Sequence, residues 1–108
     1  MKKNSTLPLI RLSNQEIESH LAKLNQWHCD DALSMIYKEW VFESFQLAVN
    51  FFTQIAALAE TQNHHPDIFS AYKRIKISIS THDVGGLTDK DFALAQSIDQ
   101  LKLMTGMG

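Results

Sequence analysis

From Ile75 to Ser80 the chain reads Ile-Lys-Ile-Ser-Ile-Ser, and this strict alternation of apolar and polar side chains predicts a strand with one buried and one wet face. Alternation of this kind suits an antiparallel sheet covered on one side, because a strand buried on both faces is apolar throughout. Just before it, Ile68 to Tyr72 predicts a second strand. Nearer the start, Ser34 to Phe42 is rich in Ile, Tyr, Trp, Val and Phe, which predicts another strand. A short strand around Trp27 pairs with it as a hairpin across the polar turn at Asp30-Asp31.

Helical spacing marks three further segments. Ser13-Asn14-Gln15-Glu16 forms a capping box, Leu12 and Ile17 form a staple around it, and Ile17, Leu21 and Leu24 continue the period, so a helix is expected from about residue 14 to 25. From Ser44 to about Thr61 a second helix carries two neighbouring apolar stripes: Phe45, Val49, Phe52, Ala56 and Ala59 on one, Leu47, Phe51, Ile55 and Leu58 on the other. Together they cover roughly 200° of its circumference. One stripe is expected on the sheet. The second, Leu47, Phe51, Ile55 and Leu58, requires another helix or another subunit, because its exposure would leave a large apolar patch, so a homo-oligomer (dimer or tetramer) or tight helix–helix packing is expected. A third helix begins after Thr88, with Asp91 completing a capping box and Leu87 and Phe92 a staple, and runs to about Met104, where Gly106 and Gly108 are suitable terminators. The order α-β-β-α-β-β-α is an α+β arrangement: a four-stranded antiparallel sheet covered on one face by three helices. Residues 1–12 are expected to be extended or flexible.

Composition adds limits to this picture. With 108 residues, 44% hydrophobic and 20% charged, the chain is one domain, 1–108, with one modest core. A net charge of −2 and no Lys/Arg block longer than two residues argue against nucleic acid as a partner. The longest apolar run is the five residues Ile55 to Ala59, far short of the ~20 of a membrane span. After Met1-Lys2-Lys3, the residues Asn4, Ser5, Thr6, Pro8 and Arg11 prevent an apolar leader. Cys29 is the only cysteine, so no intrachain disulfide is possible and a cytoplasmic location is expected.

The chemistry is concentrated in Asn63-His64-His65-Pro66 and, seventeen residues after His65, Thr81-His82-Asp83. An imidazole titrates near ~6.5, so three of them in one cleft suit general acid–base catalysis at neutral pH. Pro66 fixes its own φ and disfavours helix at His65, so it is expected to end the preceding helix and hold both imidazoles on a stiff corner. If the pleat of the last strand continues, His82 lies with Lys76, Ser78 and Ser80 on the face opposite the isoleucines. Plain structural readings stand beside these. The His-His-Pro corner also serves as a surface turn, and Asp91 as part of a helix cap. Asp83 is also suited to an Asx turn, and Gly85-Gly86 to permissive backbone angles. Neither a metal nor a cofactor is expected: adjacent histidines cannot easily present both rings to one ion, and no HExxH or cysteine pair supports a site.

From Trp40 to Asp99 the chain resembles the pterin-4a-carbinolamine dehydratases. The likeness is carried by Phe42, Phe45, Ala48, Phe52, Ala59-Glu60, His64-His65-Pro66, Tyr72, Ile75, Ser80-Thr81-His82-Asp83, Gly86-Leu87, Asp91, Leu94-Ala95 and Ile98-Asp99. It extends more loosely to Trp27. Some members carry Trp where this sequence has Ile68, and the segment between Trp27 and Trp40 is a few residues longer than in animal members. The resemblance implies a hydro-lyase that removes water from 4a-hydroxytetrahydropterin to give a quinonoid dihydropterin, in recycling the pterin used by an aromatic amino acid hydroxylase. It implies His64 and His82 as the acid–base pair and His65 as a catalytic residue that binds or positions. Asp91, Asp83, Pro66 and Trp27 would then contribute to the substrate site. The alternative is a non-catalytic pterin-binding or interaction module. Animal members act as dimerisation cofactors for a homeodomain transcription factor, a role that none of the quoted residues implies here.

Overall fold

The computed structural model describes residues 9–101, and the expected end of the third helix at Met104 lies outside them. Helix α1 (Asn14–Leu21) is followed by strands β1 (His28–Cys29) and β2 (Ile36–Val41), helix α2 (Phe45–Gln62), strands β3 (Asp67–Ala71) and β4 (Arg74–Ile79), and helix α3 (Asp89–Asp99). The four strands form one antiparallel sheet in the order β1-β2-β4-β3. This is the expected α+β order.

Register and burial agree along the sheet. Ile36 faces Ile79, Lys38 faces Ile77 and Trp40 faces Ile75, and all six are buried. The intervening pairs, Tyr37 with Ser78, Glu39 with Lys76 and Val41 with Arg74, occupy the more open face. The period-two pattern therefore assigned the right residues to the core. Ala48, Phe51, Ile55 and Ala59 of α2 and Phe92, Leu94, Ala95 and Ile98 of α3 are buried with them. Trp40 lies between Trp27 and Phe51, with ring centroids 5.8 and 4.7 Å away. His20 of α1 stacks on Phe92 of α3 at 5.0 Å.

Lys38 breaks the apolar pattern of the buried face. Its ammonium donates to the Asn25 carbonyl at 2.6 Å and pairs with Asp99 Oδ1 at 3.3 Å. Asp99 in turn accepts from the Trp27 indole N–H at 2.9 Å and the Asn25 backbone N–H at 3.0 Å. A buried charge survives only when paired and hydrogen-bonded, and here both conditions hold.

Two helix ends differ from expectation for physical reasons, and the expected turn between them gains its cause. The capping box at Ser13 forms, with Ser13 N–H on Glu16 Oε1 at 2.8 Å, but α1 stops at Leu21 rather than near residue 25. Its end tightens into bonds from Lys23 N–H to His20 and from Leu24 N–H to Leu21, and Lys38 and Asp99 then capture the Asn25 backbone. The turn after β1 is organised by one side chain: Asp30 accepts from Ser34 N–H, Ser34 Oγ–H and Met35 N–H at 2.7, 2.6 and 3.0 Å. Burial works to raise the pKa of that carboxyl, but these hydrogen bonds outweigh it and hold the group below its usual value. Finally, α2 is ended by Asn63, not by Pro66. Asn63 adopts a left-handed φ of 51°, its N–H bonds to Glu60, and His64 N–H reaches back to the Ala59 carbonyl at 3.0 Å. These two bonds are a Schellman motif.

The stripes of α2 sort the opposite way from expectation: the line expected to need another helix or subunit, Leu47, Phe51, Ile55 and Leu58, is the one that packs on the core. The Phe51-Ile55 line is buried with Ala48 and Ala59, and Leu47 and Leu58 are half-buried beside it. Phe45 and Phe52, assigned to the other stripe, are 53% and 40% exposed.

Candidate active site

The Schellman turn at the end of α2 reverses the chain so that His64 and His65 leave it in different directions. His64 turns inward, with its side chain 11% exposed, and its Nε2 lies 2.6 Å from Asp91 Oδ1. His65 turns outward to Glu60, Nε2 to Oε2 at 2.6 Å, where both side chains are largely exposed. The adjacent imidazoles thus serve two different carboxylates. Pro66 is half-buried and leads into β3.

Asp91 is fully buried at the third position of α3. Besides His64 it accepts from the Thr88 backbone N–H at 2.8 Å and from Thr81 Oγ1–H at 2.7 Å, both on Oδ2. The first of these completes the capping box expected at Thr88. Asp91 is therefore a helix cap and a histidine partner at once, because its two oxygens are divided between the tasks. With Asp91 accepting, Nε2 of neutral His64 carries the proton and Nδ1 keeps the free lone pair.

The second motif approaches from the end of β4. The strand stops at Ile79 and Thr81 bridges to Gly86, so Thr81 stays in phase with the buried isoleucines. His82 opens a short 3-10 turn, His82–Val84, so the pleat on which its expected placement depended does not continue; the residue is exposed. Asp83 is exposed in the same turn and makes no side-chain hydrogen bond among the described residues. Gly85 takes a left-handed φ of 64°, and Gly86 is packed under Arg11, whose Nε lies 2.5 Å from where a Cβ would stand. The two glycines shape the turn, as their plain reading supposed.

Four expected site residues, His64, Asp91, His65 and His82, thus come from the ends of α2 and β4 and the start of α3, with Asp83 beside His82. Trp27 is not among them. It is 5% exposed and bonded to Asp99, two turns or about 12 Å along α3 from Asp91. Glu60, the partner of His65, is a contact that the sequence reading did not single out. The signal was a carboxylate in the last turn of a helix followed by a residue able to adopt a left-handed angle, which turns the chain back onto that turn. On the open face of the sheet, a depression of about 510 Å³ has Gln26, His28, Tyr37, Glu39 and Lys76 among its lining residues, and the histidine motifs take no part in it.

Comparison with known proteins identifies the family and the fold. The profile of the Pterin 4 alpha carbinolamine dehydratase family matches residues 10–101. A Chloroflexus aggregans protein assigned the name pterin-4-alpha-carbinolamine dehydratase is 44% identical over 93 residues, covering 86% of this chain and 98% of its own. One from Rhizobium johnstonii, assigned the same name, is 42% identical over 90 residues, covering 83% and 89%. Among solved structures, the transcriptional coactivator/pterin dehydratase of Brucella melitensis superposes with a TM-score of 0.79 at 32% identity, covering 82% of this chain and 95% of that one. A pterin dehydratase-like RuBisCO assembly factor of the alpha-carboxysome, 24% identical with a TM-score of 0.59, shares the fold. The chain belongs to the pterin 4 alpha carbinolamine dehydratase family.

Proposed function

We propose that this protein is a hydro-lyase that eliminates water from a 4a-hydroxytetrahydropterin to give the quinonoid dihydropterin. The observation that carries the reading is the His64–Asp91 pair, an imidazole oriented by a fully buried carboxylate at the conjunction of the two family motifs. In the reaction the C4a–O bond breaks, the leaving oxygen takes up a proton, and a proton leaves the pterin ring as the new C=N bond forms. One acid and one base are enough, and no electron changes hands.

His64 and His82 supply those two roles. His64 would act through Nδ1, since Nε2 is held by Asp91. His65, braced by Glu60, binds or positions the pterin. Asp83 and Pro66 contribute to the edge of the site, while Trp27 supports it from the core. The substrate links the enzyme to hydroxylases that leave a hydroxylated pterin behind, including those acting on aromatic amino acids. Among the described residues no helix is long and apolar enough to cross a membrane. We place the protein in the cytoplasm as a homo-oligomer, on the strength of its single cysteine and its exposed phenylalanines.

The test is the dehydration rate of 4a-hydroxytetrahydropterin with wild type, His64→Ala and His82→Ala. Loss of a positioned acid or base lowers the rate by about 10² to 10⁴. Wild-type rates in both variants would remove the assigned roles. A wild type that binds the pterin without turning it over would favour the non-catalytic binding module.

A further inference from the structure

Thr81 opens the second histidine motif and has no role in the scheme above. Its backbone is bridged to Gly86, its neighbour is His82, and its side chain is buried against Asp91. Its hydroxyl has one proton to give. Asp91 Oδ2 lies 2.7 Å away and only accepts, so Thr81 donates to it. The Thr88 hydroxyl, 2.8 Å from Thr81 Oγ1, must then donate to Thr81. Thr88 Oγ1 itself accepts from Lys90 N–H at 3.2 Å. The result is a one-way relay of donors, Lys90 to Thr88 to Thr81 to Asp91, in which each bond polarises the next.

The relay fixes how Asp91 presents itself. Thr81 O–H and Thr88 N–H both occupy Oδ2, which leaves Oδ1 aimed at His64 Nε2. Removing the Thr81 bond leaves the Thr88 backbone N–H as the one partner of that oxygen, so the rotation of the carboxylate about χ2 is less tightly fixed. We propose that Thr81 is a positioning residue that sets the orientation of His64 through Asp91 and ties that orientation to the loop bearing His82. Its kinetic consequence rests on the dehydratase reading, whereas its structural consequence does not.

The experiment compares wild type, Thr81→Val and Thr81→Ser. Valine keeps the branched shape without the hydroxyl, and serine keeps the hydroxyl without the methyl. In wild type the His64 Nε2 proton, 2.6 Å from Asp91 across the hydrogen bond, is expected to give a downfield, slowly exchanging imidazole N–H resonance. Thr81→Val is expected to lose that resonance to exchange with water and to lower kcat by about tenfold or more, with KM changed by less than about threefold. Thr81→Ser keeps the resonance and a kcat within about threefold of wild type. A Val variant with an unchanged resonance and rate would overturn the proposal, as would a Ser variant as impaired as Val, since the methyl would then be the group that matters. Should the Val variant fail to fold, the wild-type Thr81 hydroxyl proton decides: a resonance in slow exchange with water supports the relay, and its absence overturns it. If wild type shows no dehydratase turnover while the resonance still depends on the hydroxyl, the dehydratase reading falls and the positioning role stands.

Discussion

Asp30 and Lys38 show how single polar side chains set local structure that the hydrophobic pattern leaves open. Asp30 accepts three hydrogen bonds from Ser34 and Met35 and so defines the turn into β2. Because these bonds hold its carboxyl below the ordinary value, the folded state gains stability from the ionised form at neutral pH. That gain is complete above the unfolded pKa of about 3.9 and is lost as the pH falls through the lower folded value. Asp30→Asn is therefore expected to melt below wild type at pH 7, with the gap closing as melts are repeated at progressively lower pH below about 4. A gap that stays constant down to strong acid would contradict the assignment. Lys38 illustrates the limit of residue-level reading. It shares the buried face with Ile36 and Trp40, and its partners Asn25 and Asp99 lie 13 and 61 residues away. Only the folded register shows why the charge is tolerated. Asp91 was more legible, since a threonine three residues before a carboxylate is a local signature, and the same geometry that caps α3 leaves Oδ1 for His64.

Elements were readable where their signals were local. The capping boxes at Ser13 and Thr88 start α1 and α3, and the Ile-Lys-Ile-Ser-Ile alternation marks β4 with its buried face correct. Their ends depended on contacts made elsewhere or on backbone angles. At the end of α2 the decisive residue is Asn63, whose left-handed conformation points His64 inward and His65 outward. Asn63→Gly keeps that conformation without strain and is expected to fold and turn over like wild type. Asn63→Val places a branched side chain at φ 51° and is expected to cost about 1–2 kcal/mol in denaturant unfolding and to lower turnover, because both imidazoles move. Equal stability of the Val and Gly variants would show that the turn is held by something other than Asn63.

Across the whole molecule the unresolved demand is the apolar surface left outside. Val41, Phe45, Phe52, Phe69 and Tyr72 are each at least 40% exposed, and Phe45 stacks on Tyr72 at 6.3 Å. The sequence foresaw that α2 carries more apolar surface than one packing face uses. It assigned the outer place to the wrong stripe, because Phe51 and Ile55 are buried where α2 packs on β4, a geometry that helical period does not contain. An oligomer that covers Phe45 and Phe52 is expected in solution, and Phe52→Lys should shift the mass measured by light scattering toward the monomer. A wild type that is monodisperse and monomeric would rule this out.

One consequence concerns how the site comes into being. His64, Thr81 and Asp91 are contributed by the end of α2, the exit from β4 and the first turn of α3, and the contacts of Asp91 span 27 and 10 residues of sequence. No excised helix or hairpin holds all three. The His64–Asp91 distance closes only when both helices are seated on the sheet, so a partly unfolded chain possesses the histidines and none of their geometry. In a denaturant titration the slowly exchanging His64 proton should therefore vanish in the same step as the tryptophan signal of the core.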